Sequence, residues 1–116
     1  MEVMYKNHKL NELCHDYRKA QKEFGKTAAE KLMSLINLLE SAENLQDIDA
    51  MRIYHLHPLQ GNRKGEFALD LGRKLGYRLI IIPLDENSKE WEEKEVSIIY
   101  KATRIVLVWE VSNHYE

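Results

Sequence analysis

His55-Leu56-His57-Pro58-Leu59-Gln60-Gly61-Asn62-Arg63-Lys64-Gly65-Glu66-Phe67-Ala68-Leu69-Asp70-Leu71, followed shortly by Gly76-Tyr77-Arg78-Leu79-Ile80-Ile81-Ile82-Pro83, is where the hydrophobic period of this chain changes from helical to two. Residues 53–57 alternate and stop at Pro58, which cannot donate to a central ladder. Residues 66–71 alternate again and set Phe67, Leu69 and Leu71 on one face. Gly72 to Gly76 reads as a turn. Residues 77–82 are apolar on both faces except for Arg78, the pattern of a central buried strand, and Pro83 is expected to end it. A last strand is expected over 104–111, again nearly all apolar.

Upstream of this region the period is helical. Leu10, Leu13, Cys14, Tyr17, Ala20 and Phe24 predict a helix of about four turns stopped by Gly25. Thr27 and Glu30 have capping-box spacing and predict the start of a second helix running to about Glu43. Leu32, Leu35, Ile36, Leu39 and Ala42 form its apolar face, which Met33 and Leu38 widen. Residues 85–103 fit either a helix started at Asn87 and Glu90 or a polar hairpin excursion. Trp91 and Trp109 read as core or cover. No internal repeat or low-complexity tract is present. The expected class is α+β: two N-terminal helices packed on a curved, mainly antiparallel sheet of three to five strands.

The chain has 116 residues, the size of one domain spanning 1–116, and a net charge of −2. Its cations are focused. Residues 52–78 carry six Lys or Arg against two Asp or Glu, whereas 1–51 carry seven against nine and 79–116 four against eight. Such a patch suits local contact with one polyanion rather than a histone-like coating of nucleic acid. The single cysteine, Cys14, leaves no internal disulfide framework, and there is no CxxC pair or HExxH helix. The expectation is a reduced cytoplasmic protein without a signal peptide, membrane span, metal or cofactor.

Several residues have the chemistry for a site. His55 and His57, two apart in an expected strand, would share a face. They fit hydrogen-bonded strand residues, metal ligands lacking an obvious third partner, or groups serving phosphate chemistry beside nearby cations. Arg63 and Lys64 lie between Gly61 and Gly65, where backbone can approach a ligand closely. The loop fits either a polar turn or a phosphate contact with a bidentate Arg and a point-charge Lys. Arg78, between Tyr77 and Leu79, must find an anion, a paired acid or a cleft edge, and either an ion pair with Asp70 or Glu110 or a substrate phosphate would serve. His114 and Tyr115 follow the last strand directly.

The assembled order resembles the RelE/ParE toxin superfamily, and within it the HigB-type host-inhibition or plasmid-maintenance killer proteins. The residues that carry it are Phe24-Gly25, Leu45 to Asp47, Arg52-x-x-x-Leu56-His57-Pro58-Leu59-x-Gly61-x-Arg63-Lys64-Gly65-x-Phe67-x-Leu69-Asp70-Leu71, Tyr77-Arg78-Leu79-Ile80 and His114-Tyr115. The resemblance implies a β-α-α-β-β-β toxin of a type II toxin-antitoxin system that cuts messenger RNA on the ribosome and so inhibits translation. In this family the RNA 2′-hydroxyl attacks the adjacent phosphate without a metal, and the protein aligns the backbone, neutralises charge and handles two protons.

Carried onto this chain, Arg63, Lys64 and Arg78 would stabilise the phosphorane. His57 and His114 would transfer protons, and Tyr115 would orient or donate. Arg52, His55, Lys64, Arg73 and Lys74 would contact RNA. HigB-type chains usually have Lys where this one has Gln60, and Asp-Tyr-His where this one has Asn113-His114-Tyr115, which leaves the general base open. The implied partners are a helix-turn-helix HigA-type antitoxin and, through it, promoter DNA. The alternatives are a non-catalytic ParE-like toxin that binds DNA gyrase and a degenerate member that only pairs with its antitoxin.

Overall fold

The computed structural model describes residues 1–113, apart from the side chain of Arg73; His114 and Tyr115 lie outside the described residues. Strand β1 (Glu2–Tyr5) leads into helices α1 (His8–His15), α2 (Tyr17–Phe24), α3 (Lys26–Ser41) and α4 (Leu45–Asp49). Strands β2 (His57–Pro58), β3 (Phe67–Asp70) and β4 (Tyr77–Leu84) follow, then helix α5 (Val96–Ala102) and strand β5 (Ile105–Asn113). The five strands form one mixed sheet in the order β1-β5-β4-β3-β2. The expected α+β class is the one observed, with β1 running parallel to β5 and the other pairs antiparallel.

The helical region departs from its periodicity in two places. The expected first helix is divided at Asp16, whose backbone N–H closes α1 on the Glu12 carbonyl while its side chain accepts from the Lys19 N–H to start α2. Apolar spacing runs undisturbed through this point, so only the capping chemistry of one aspartate reveals the break. The second correction concerns the capping box. Gly25, at φ +88°, ends α2 and begins α3 directly, which puts Thr27 inside the first turn with no side-chain cap. Ala28, Ala29, Leu32, Leu35, Ile36 and Leu39 of α3 are buried as the spacing requires. The helix ends at Ser41 rather than near Glu43, and Asn44 caps α4 through the Asp47 N–H.

Residues 53–57 do not form the alternating strand expected of them. Arg52–Tyr54 is a 3-10 turn, Ile53 is 76% exposed, and His55 sits in the left-handed region at φ 46°. Pairing with β3 reaches only His57↔Ala68 and Pro58↔Phe67, so alternation upstream of His57 has no partner strand to satisfy. Pro83 does not end β4, which continues to Leu84. Since β3 stops at Phe67 opposite Ile81, β4 has one neighbour beyond that point, and the missing N–H breaks no β3 ladder.

Residues 85–103 resolve into three parts. Asp85 accepts from the N–H groups of Asn87 and Lys89 in a tight turn, residues 91–95 run outside any ladder, and α5 follows. Neither Asn87 nor Glu90 starts a helix. Tyr100 of α5 packs edge-on to Phe67 with ring centroids 5.7 Å apart. Trp91 donates to the Thr103 hydroxyl at 3.0 Å, and Trp109 lies half-buried with Lys6 Nζ 4.2 Å from its ring centroid.

The core lies between the helices and one sheet face, where Leu69, Leu79, Ile81, Val106 and Val108 are fully buried. A bulge between Ile80 and Ile81 shifts the β4–β5 register, so Ile80 faces Glu110 and Ile81 faces Val108. Among the described residues no helix is long and apolar enough to cross a membrane.

Cys14 gives the fold a pH signature. Burial, and after it the charge of Glu40, pushes its thiol up from 9.0 to about 12. Its folded pKa lies above the unfolded one, so deprotonation favours the unfolded chain, and stability must fall as pH rises from about 9 toward 12. Burial first raises Tyr5 and Tyr100 in the same direction. The urea midpoint is expected to be lower at pH 10.5 than at pH 8, and Cys14→Ala, less stable at pH 8, should lose less between the two. An equal loss in both proteins would remove Cys14 from this account.

Candidate functional site

The loop joining β2 to β3 is tied across its base. Leu59 N–H donates to the Glu66 carbonyl at 2.9 Å, and Lys64 N–H closes a 3-10 turn on Gly61 at 3.2 Å. Position 65 favours glycine through its backbone. Its φ is +95°, and a Cβ there would lie 2.7 Å from Glu90 Oε1. The loop therefore takes its shape from two glycines and a close approach by the 85–95 segment.

Arg63 projects from this loop, and its guanidinium is already engaged. Its Nε donates to Glu66 Oε1 at 2.9 Å, its Nη2 lies 2.7 Å from the same oxygen, and Nη2 also donates to Glu110 Oε1. Those hydrogen bonds, Glu110's first, raise its pKa further, so one fixed cation sits between two carboxylates. An arriving anion must compete with both. Lys64 next to it is exposed and has no ion-pair partner among the described residues.

Arg78 is in the opposite condition. It stands in β4, opposite Asp70 on one side and Ser112 on the other, and its Nε is buried without a hydrogen-bond partner. Of the two acids that sequence offers it, Glu110 holds Arg63, and Asp70 lies 3.5 Å from His55 Nδ1, a contact that becomes an ion pair when that imidazole is protonated. Among the described residues Arg78 makes no ion pair. A half-buried guanidinium with an unmet donor is suited to receive an oxyanion.

His57 lies on the same register face. Pairing places it with Ala68, and alternation along β3 and β4 brings Asp70, Arg78 and Ile80 to that face, joined by Glu110 and Ser112, the β5 partners of Ile80 and Arg78. His57 Nδ1 is 2.7 Å from the His55 carbonyl. A carbonyl only accepts, so Nδ1 carries the hydrogen and the neutral ring presents Nε2 as its basic nitrogen. The two imidazoles stack with centroids 4.3 Å apart, and the left-handed His55 backbone produces that juxtaposition without a strand.

The structure thus brings together His55, His57, Arg63 and Arg78 from the sequence-derived set. Lys64 lies at the loop tip. Arg52 and Lys74 are exposed on separate 3-10 turns flanking β2 and β4, the side chain of Arg73 is not described, and His114 and Tyr115 lie outside the described residues. Sequence reasoning missed the role of Glu66, for which the signal was an acid three residues after Arg63. It offered Glu110 to the wrong arginine. Among the described residues no group of three His, Cys, Asp or Glu side chains is placed to hold a metal ion. What this face can do chemically is bind an oxyanion at Arg78 and exchange a proton at His57.

A search of solved structures finds the YoeB/ParE toxin from Agrobacterium tumefaciens, with a TM-score of 0.52 over 99% of this chain and 100% of that one at 14% sequence identity. The likeness shows that the chain shares the fold of that toxin. Comparison with protein-family models and with the curated proteins gives no match.

The imidazole assignment is open to direct measurement. In a long-range proton-nitrogen correlation spectrum above pH 7.5, His57 is expected to show the Nδ1–H tautomer. An Nε2–H pattern would remove it as a proton acceptor at this face.

Proposed function

We propose that this chain is the toxin of a type II toxin-antitoxin system, of the HigB type, and that it cleaves messenger RNA on the ribosome. The observation that carries this reading is the unpartnered, buried Nε of Arg78 on the same sheet face as a histidine whose Nδ1 is held by a backbone carbonyl. In this reading Arg78 takes the scissile phosphate, and His57 accepts the proton as the RNA 2′-oxygen bonds to phosphorus. The bond from phosphorus to the 5′-oxygen then breaks, leaving a cyclic phosphate and a 5′-hydroxyl. His114 and Tyr115, which follow β5, are the proposed source of the proton for the leaving oxygen. Arg63 joins the phosphate only by giving up a carboxylate. Lys64, Arg52, His55, Arg73 and Lys74 are the proposed contacts to the remaining RNA backbone.

The same reading includes a HigA-type helix-turn-helix antitoxin as partner, promoter DNA bound through it, and a cytoplasmic setting. One observation favours a second reading. The Arg63–Glu66–Glu110 cluster neutralises a principal cation of the loop, as suits a ParE-like module that binds gyrase rather than RNA.

Primer extension on messenger RNA from induced cells distinguishes them. Codon-phased cleavage ends are expected with the natural sequence and are expected to fall about 10²–10³-fold in Arg78→Ala, the usual cost of losing one preorganised oxyanion donor. Arrested growth with intact transcripts would favour the gyrase reading. In vitro, Glu110→Gln should tighten binding of a short single-stranded RNA roughly two- to fivefold, the worth of one half-exposed ion pair, and the gain should vanish when Arg63→Ala is added. Unchanged affinity in Glu110→Gln would mean that Arg63 does not compete for the RNA.

A further inference from the structure

A groove of about 520 Å³ lies between the 59–65 loop and the 90–96 segment, with Lys64 of the loop on its edge. Its apolar lining includes Pro58, Leu59, Phe67, Pro83, Val96 and Ile99, with Trp91 beside them. The volume is that of a site for side chains or a small ligand. No described strand extends across it: β2 ends at Pro58, and Pro83 of β4 has no β3 residue opposite.

The rim is acidic. Glu90, Glu92 and Glu93 line it against Lys64 and Lys94, and residues 85–95 as a whole carry six acids and two lysines. Such a rim repels phosphate, so the groove is no extension of an RNA cleft. Its acidic wall also offers backbone. Residues 91–94 belong to no ladder, and the N–H groups of Lys94 and Glu95 find only the Glu93 carboxylate. An apolar floor, an anionic rim and a segment outside any ladder together define one kind of occupant.

We infer that this groove docks an extended segment of a partner protein in which large apolar side chains alternate with Lys or Arg. The apolar side chains fill the floor, the cations meet Glu92 and Glu93, and the partner backbone pairs with residues 91–94 by strand addition. The inference does not depend on RNA cleavage.

The test is fluorescence anisotropy on the full chain with a labelled ten-residue peptide alternating Leu and Arg, beside versions with Leu replaced by Ser and with Arg replaced by Glu. Saturable binding of the Leu/Arg peptide is expected, weakened at least tenfold in both altered peptides. Glu92→Lys/Glu93→Lys should weaken it at least tenfold. Glu23→Lys/Glu30→Lys, the same charge change on exposed helix positions, should alter it less than twofold. Equal loss in the two charge variants would reveal diffuse attraction and overturn the site. So would undiminished binding of the Ser or Glu peptide, or no binding of the Leu/Arg peptide.

Discussion

The extra residue that β5 carries opposite Ile80 and Ile81 decides what the two sides of the sheet can be. Val106 and Val108 face the helices, and strict alternation would turn Glu110 into the same core. An unpaired carboxylate there would be prohibitively costly. The bulge at Trp109 reverses the alternation, so Val111 returns to the helices and Glu110 emerges on the opposite face within reach of Arg63. One inserted position thus keeps the core apolar and supplies the acid that shapes the other surface.

The charge arrangement of that surface follows. Glu110 and Glu66 take Arg63, Asp70 lies beside His55, and Arg78, with no ion pair among the described residues, is left with an unmet donor. The chain has nearly balanced charges overall, yet this face separates a satisfied guanidinium from an unsatisfied one. Burial makes the distinction matter. A fully exposed arginine satisfies its donors with water, whereas the buried Nε of Arg78 depends on what arrives.

Much of this was legible in sequence because periodicity reports which residues are buried. Phe67, Leu69 and Leu71, and the α3 face from Leu32 to Leu39, lie where their spacing puts them. Failures came where a local interaction outweighed periodicity. Asp16 divides a helix whose apolar stripe is continuous, Gly25 displaces the capping box, and residues 53–56 lack a strand to pair with. At the candidate site, residue types singled out Arg78 and His57, which the register sets on one sheet face, but no spacing rule could assign Glu110 to Arg63. That contact joins a loop to a strand 47 residues away and depends on the bulge.

The order of the sheet also constrains how the molecule comes to exist. β5 is latest among the described strands along the chain, yet it lies between β1 and β4, so no earlier strand can join the first to the rest of the sheet. Pairing Glu2 with Ile105 closes a loop of nearly the whole chain, the kind of distant contact that slows folding. The helices can form early from local contacts, but the completed sheet, and with it the face that holds Arg63 and Glu110 together, waits for the late strand. A nascent chain stopped before Ile105 would hold His57, Arg63 and Arg78 without the strand that sets their relative charge.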